Sequence, residues 1–371
     1  MTISSIRRAT PLVAVASLAL VLAACGGDDG ADSGTGSTGD AGSASGELAG
    51  QLNGAGSSAQ GAAMQAWQVG IQDLNPDLTV DYDPVGSGGG RETFIGGGSD
   101  FAGSDAALDE EEAASAEERC GGGFVQLPGY ISPIAVAFNL PGIDTLNMDA
   151  ATIADIFNQQ VTTWDDPAIA DLNPDAELPS TAITPVSRSD ESGTTENFAE
   201  YLVAAAGDSW PYEASGDWPV SGGEAAQGTS GVVQAITAGE GSIGYADASQ
   251  VAGLGTVAVG VGDEFIPFSP EAAAAIVDAS EPVAGAAEGN LAIELERDTT
   301  ESGVYPIVLV SYQIACQSYD SAETAANVAG FLEFIISEQG QSAAAQAAGS
   351  APLSDSTREA AQGAIDLIQA G

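Results

Sequence analysis

The chain has 371 residues, with 53 acidic against 7 basic side chains for a net charge of −46, and it contains no histidine and no lysine. Without histidine there is no Ser-His-Asp or Cys-His nucleophile system and no histidine-based metal site; without lysine there is no Walker-type phosphate loop, Ser-Lys hydrolase or pyridoxal Schiff base. A surface this acidic repels nucleic acid and anionic membrane, which argues against both as partners.

At the N-terminus, Arg7 and Arg8 precede an apolar run from Pro11 to Leu22 that is too short to span a bilayer. The run ends in Leu22-Ala23-Ala24-Cys25, which predicts a secretion signal over 1–24 closed by a lipoprotein cleavage box. Cys25 would then carry a diacylglyceryl thioether; a plain signal peptide with an incidental cysteine is the alternative. Residues 26–46 hold Gly, Ser, Thr and Asp with nothing more apolar than alanine. Such a stretch cannot bury enough surface to offset its ordering entropy, so 25–46 is read as a flexible tether. Lipid, tether and body together predict a protein anchored at the extracytoplasmic face of the cell membrane. No later apolar stretch is long enough for a membrane span. With Cys25 lipidated, Cys120 and Cys316 remain as an even pair in an oxidising compartment. A disulfide between them is expected, joining the two ends of a discontinuous domain; two free buried thiols are the alternative, since spacing alone does not show contact.

The body, from residue 47, is roughly 325 residues, enough for two ordinary domains. Gly46–Asn53 reads as a strand leading into the loop Gly54-Ala55-Gly56-Ser57-Ser58. A helix follows with Trp67, Ile71 and Leu74 at helical spacing, closed by Asn75-Pro76. Leu78–Pro84 alternates as a strand, then Gly86-Ser87-Gly88-Gly89-Gly90 opens a short helix over Arg91–Ile95. Asp100–Ala107 is a strand and turn, and Asp109–Arg119 a surface helix. Phe124–Leu127 and Ile134–Asn139 read as two strands, Leu146–Phe157 as a helix, and Asp165-Asp166-Pro167 starts another. Ile183–Ser187 is a strand, Thr195–Ala206 and Ser230–Ala238 are helices, and Ser242–Tyr245 is a strand. Val304–Ala315 is a long strand pattern, and helices over 320–347 and 356–369 close the chain. Strands separated by Gly-rich turns and helices give an α/β class with two lobes and helix N-termini gathered on one edge.

Four segments place small residues and hydroxyls at a helix start: 54–58, 86–90, Ser104-Asp105 and the run Arg188 to Thr195. A helix N-terminus offers unpaired N–H groups and partial positive charge, and glycine lets the backbone approach an anion closely. Several such termini facing one point would cage an anion while needing few cations.

With these loops in this order, the chain resembles the phosphate-binding proteins of Pst-type ABC transporters. The matching pieces are GAGSSAQGAAMQAW (54–67), GSGGGRETF (86–94), SDFAGSDAAL (99–108), RSDESGTTENF (188–198) and GSIGYAD (241–247). The resemblance covers the chain from about residue 47 onward. It implies a two-lobed periplasmic-binding-protein-like fold of type II, with the ligand cleft between lobes, and inorganic phosphate as ligand. It further implies delivery to ABC permease subunits in the membrane, a monomer, no cofactor or metal, and no enzymatic activity. By position, Ser58 with the backbone of Ala59 would donate to phosphate from the first loop, and Ser87 from the second. Arg188 would be the cation on the anion, Ser192, Gly193 and Thr194 would donate from a helix start, and Asp190 would orient Arg188. Asp105 would accept the hydrogen bond of the phosphate's own proton, which sulfate lacks, and so discriminate between the two. Two departures stand out: Ala59 where relatives often carry an aromatic residue, and Glu191 where glycine is common. Glu191 is expected to face solvent, since beside the ligand it would weaken binding.

Chain order places lobe I at 47–131 plus 304–371 and lobe II at 132–303. Three other readings remain: a metal-dependent phosphatase, a phosphate-sensing or adhesion lipoprotein of the same fold, and a receptor for another oxyanion.

Overall fold

A computed structural model describes residues 48–371. The signal, Cys25 and the tether lie outside the described residues. The first strand, β1 (Gly50–Gly56), is followed by α1 (Gly61–Leu74), β2 (Leu78–Asp83), α2 (Ser87–Ile95), β3 (Phe101–Ser104) and α3 (Glu110–Cys120). Next come β4 (Phe124–Phe138), β5 (Thr145–Met148), α4 (Ala150–Phe157), α5 (Pro167–Ala170), β6 (Thr184–Arg188) and α6 (Gly193–Ala205). The chain continues through β7 (Glu224–Ala226), α7 (Gly228–Ala238), β8 (Ser242–Asp247), β9 (Gly255–Val261), β10 (Glu264–Ile266) and α8 (Pro270–Ala279). It ends with β11 (Glu281–Pro282), β12 (Ile293–Glu294), β13 (Val308–Cys316), β14 (Ser318–Tyr319), α9 (Ala322–Ile336), α10 (Glu338–Ala348), α11 (Asp355–Ile365) and β15 (Gln369–Ala370).

One sheet runs in the order β2-β1-β3-β13-β4-β8-β6-β7, with β9 joined to β4 and carrying β5 and β10. β4 is its spine. Residues Phe124–Pro133 of β4 pair antiparallel with β13, and Ile134–Phe138 pair antiparallel with β8. The change of partner divides the sheet into a first half (β2, β1, β3, β13) and a second half (β8, β6, β7, β9, β5, β10), giving the two-lobed α/β architecture. All of β4 is buried, as a strand covered on both faces requires.

The sequence reading gives β4 as two strands, 124–127 and 134–139, and Pro128 and Pro133 lie in the gap between them. Proline lacks the ladder N–H and survives in a strand only where none is needed. Pro128 sits at a register shift opposite Tyr312, and Pro133 sits where β4 changes partner. The expected helix over 146–157 is instead β5 followed by α4, with Asp149 between them capping α4 through the N–H of Thr152 at 2.8 Å. The expected helix over 320–347 is two, because Ser337 leaves the helical conformation and its side chain caps α10. Between β11 and β12 the chain returns to the first half: the N–H of Gln126 donates to Gly289 O at 2.9 Å, and that of Leu291 to Gln126 O at 2.8 Å.

Cys120 at the end of α3 and Cys316 at the end of β13 form a disulfide spanning 196 residues. Arg119 beside it lies over the Phe94 ring, 4.4 Å from its centroid. Closing so long a loop restricts the unfolded chain. The paired substitution Cys120→Ser with Cys316→Ser is therefore expected to lower the unfolding free energy by about 3–5 kcal/mol, read as a shift in urea midpoint at unchanged slope.

Candidate functional site

Among the described residues, eight of the eleven α-helices are capped by the side chain of their own N-cap residue; α1, α2 and α7 are not. On α7 the first N–H groups donate instead to side chains from elsewhere in the chain, Gly228 to Asp190 and Thr229 to Ser58, so the first turns of α1 and α2 are the ones without a serine or aspartate oxygen. These three helices start where the two halves of the sheet meet, beside the start of α6. That start is positioned from below by Phe198 of α6, whose ring stacks on Tyr245 of β8 with centroids 4.5 Å apart.

Asp105, at the end of β3, is buried among donors from both halves. Its Oδ1 accepts from Ser311 Oγ at 2.5 Å, and its Oδ2 from Thr194 Oγ1 at 3.2 Å. Its N–H donates to Ser87 Oγ at 3.1 Å, and its carbonyl accepts from Asn197 Nδ2 at 2.7 Å. Burial pushes the Asp105 carboxyl above the usual carboxylate range, against hydrogen bonds from Ser311, Ser57 and Thr194 and the charge of Arg188. Gly193 lies so close that a Cβ there would stand 2.7 Å from Ser87 Oγ and 2.8 Å from Asp105 Cβ. Only glycine admits this approach between the halves.

Arg188, at the end of β6, is buried with one edge committed to Asp190: Nε donates to Oδ1 at 2.8 Å, and Nη2 donates to Oδ2. Nη1 makes no hydrogen bond to another described residue, so the outer edge of the guanidinium is uncommitted within the described chain. Asp190 also accepts from the N–H of Gly228 at the start of α7, at 3.0 Å. Burial works to raise the Asp190 carboxyl, but the hydrogen bonds and charge of Arg188 and the Gly228 amide outweigh it and hold it low. An ionised Asp190 therefore holds two of the Arg188 guanidinium nitrogens.

The first loop departs in detail from expectation. Ser58 Oγ accepts from the N–H of Thr229 at 3.1 Å and shares a further hydrogen bond with its hydroxyl at 3.1 Å. The hydroxyl beside Asp105 is that of Ser57, which also accepts from Ala59 N–H at 3.1 Å. Ser192 Oγ caps α6 by accepting from Thr195 N–H at 3.2 Å. Glu191 does not simply face solvent: it is half exposed and pairs with Arg91 at 2.9 Å. Thus Ser87, Asp105, Gly193 and Thr194 meet directly, and Arg188 with Asp190 stands beside them. Ser58 joins the same seam through Thr229.

Sequence reasoning missed Ser311, Thr229 and Tyr245. Ser311 interrupts the apolar run of β13, and Thr229 follows Gly228 at a helix start, the pattern sought elsewhere. Tyr245, whose hydroxyl accepts from Arg188 N–H at 3.3 Å, lies in a matched segment with no separate signal.

No helix among the described residues is long and apolar enough to cross a membrane. The PBP superfamily domain matches residues 41–339. The chain is 37% identical over 335 residues to phosphate-binding protein PstS 3 of Mycobacterium tuberculosis, covering 87% of this chain and 88% of that one. It is 34% identical over 361 residues to PstS 2 of the same organism, covering 94% and 95%. Among solved structures it is similar to the high-affinity periplasmic phosphate-binding protein PfluDING bound with phosphate, with a TM-score of 0.68 at 22% identity, covering 84% of this chain and 92% of that one. The fold, the site loops and these similarities agree: the chain belongs to the PBP superfamily and, within it, to the PstS phosphate-binding proteins.

Proposed function

We propose that this chain binds inorganic phosphate with high affinity between its two lobes, at the outer face of the membrane, and delivers it to an ABC permease for import. The observation that carries this is a buried Asp105 ringed by hydroxyls from both halves and standing next to Arg188. Such a site has a cation for the anion's charge, hydroxyl and amide donors for its oxygens, and one fixed acceptor for its proton. The names of the PstS relatives and the phosphate in PfluDING support the same ligand.

In this reading Ser57, Ser58, the Ala59 amide and Ser87 donate from one lobe, and Arg188, the Gly193 amide and Thr194 from the other. Ser192 holds the start of α6 in place. Lobe I comprises 47–131 with 304–371 and lobe II 132–303, a division supported by the change of partner along β4. The stretch near 289–293 lies on β4 of the first half. A ligand that contacts both lobes favours the closed form by its differential affinity, and the closed form is the one the permease reads. Cys25 carries the lipid anchor, and the protein acts as a monomer without catalysis.

Calorimetric titration of phosphate-depleted protein should give one site with Kd of about 1 µM or tighter, about −8 kcal/mol, and no heat with sulfate. A folded protein that gives no heat with phosphate overturns the reading and favours the sensing or adhesion alternative.

A further inference from the structure

We propose that Arg91 and Glu191 form a latch across the cleft, outside the phosphate cage, that holds the lobes closed and sets how long the anion stays bound. The proposal rests on the phosphate reading above. Arg91 lies on α2, in the first half, with its side chain only 6% exposed. Two of its donors serve its own half: Nε donates to Glu112 at 2.8 Å and Nη1 to Ser104 Oγ at 3.0 Å. The third, Nη2, donates to Glu191 at 2.9 Å, in the loop between β6 and α6 of the second half. Glu191 also packs its carboxylate onto Gly88 of α2, where a Cβ would overlap it. The other links between the halves at this seam, among them Ser58 with Thr229 and Asp105 with Thr194, use neutral donors from the proposed cage. Arg91 with Glu191 joins opposite charges instead.

Opening the cleft leaves Arg91 paired with Glu112 and Ser104, so the buried cation stays satisfied in both states. Only Glu191 changes, from a charge-assisted hydrogen bond to water. That difference is stabilisation specific to the closed form. Glu92, Glu112, Glu196 and Asp217 also surround the pair and repel Glu191, so Arg91 is what keeps it seated. Glu112 competes with Glu191 for the same guanidinium. Removing the Glu112 charge therefore tightens the latch, and removing the Glu191 charge releases it.

The test is stopped-flow phosphate release from the full-length protein into a phosphate scavenger, with association rates measured alongside. Glu191→Ala should release phosphate about 3- to 10-fold faster, with association within twofold, because latches act after encounter. Glu191→Gln keeps an acceptor without charge and should fall between, while Glu112→Gln should release no faster than wild type. Small-angle scattering of the phosphate-free protein should show Glu191→Ala more expanded than wild type. Equal release rates for wild type and Glu191→Ala, or the same acceleration in Glu112→Gln, would overturn the latch while leaving phosphate binding intact. Absence of phosphate binding in the wild type would instead overturn the reading on which the latch rests.

Discussion

Replacing Asp105 by asparagine is expected to raise sulfate affinity by about 100-fold or more and to weaken phosphate binding by about 10-fold. The ionised carboxylate is an acceptor only, and both of its oxygens already take hydroxyl donors, Ser311 on Oδ1 and Thr194 on Oδ2. Phosphate near neutral pH still carries a proton that can be given to this acceptor. Sulfate carries none, so its oxygen meets a negative charge at contact with no hydrogen between them. Asparagine offers an N–H₂ that donates to either anion, and the discrimination collapses. Competition titrations at pH 7.5 read the ratio directly; an unchanged ratio would remove Asp105 from the selectivity mechanism. The pH behaviour follows with a definite sign. Burial raises the Asp105 carboxyl, so it protonates at higher pH than an ordinary aspartate. Wild-type sulfate binding should therefore grow as pH falls, whereas Asp105→Asn should show no such growth.

Arg188→Ala is expected to weaken phosphate binding by about 100- to 1,000-fold, corresponding to about 3–4 kcal/mol for loss of a desolvated, charge-assisted contact. Arg188→Lys should recover little, because an ammonium cannot hold Asp190 with one edge and an oxyanion with the other. The same substitution strands Asp190. Its folded carboxyl is held below the usual range mainly by Arg188, so the pair contributes stability that is present above the unfolded aspartate pKa of about 3.9 and is lost as pH falls through the folded value. Arg188→Ala should thus be less stable than wild type at pH 7, with the gap narrowing below about pH 4. Urea midpoints at pH 7 and pH 3 decide it: a gap that stays constant with pH means the loss does not run through Asp190.

Much of the site was legible because its donors sit in short local patterns. Gly86-Ser87 and Arg188 to Thr195 each declare a helix start by residue type, whereas Ser104-Asp105, expected to be a third, closes β3 ahead of an α3 that Asp109 caps; the structure nevertheless brings all three together. What the sequence could not show is which hydroxyl meets which partner across the cleft. Ser57 and Ser58 are adjacent, and only the twist of the chain at the end of β1 sends one to Asp105 and the other to Thr229. Ser311 is harder still, because β13 reaches Asp105 from 206 residues away. In the fold, α8 with its Ser269 cap is absent from the sequence reading and α10 with its Ser337 cap is merged into α9, while α6, capped by Ser192, was easy to find. β4 was not, because its two prolines imitate breaks unless the change of partner is known.

The position of β13 has a consequence for the order in which the protein can assemble. β13 lies between β3 and β4, and no direct pairing joins those two strands. A chain that emerges N-terminus first therefore carries β1 to β3 as one fragment and β4 with the second half as another, without the strand that welds them. Residues 308–316 arrive last of the sheet, and Cys120 waits for Cys316 until then. Such non-local pairing slows folding. Until β13 arrives the facing edges of β3 and β4 stay unpaired, and the oxidised crosslink marks completion of the sheet. A chain cut short before residue 308 would lose that join altogether, leaving two exposed sheet edges.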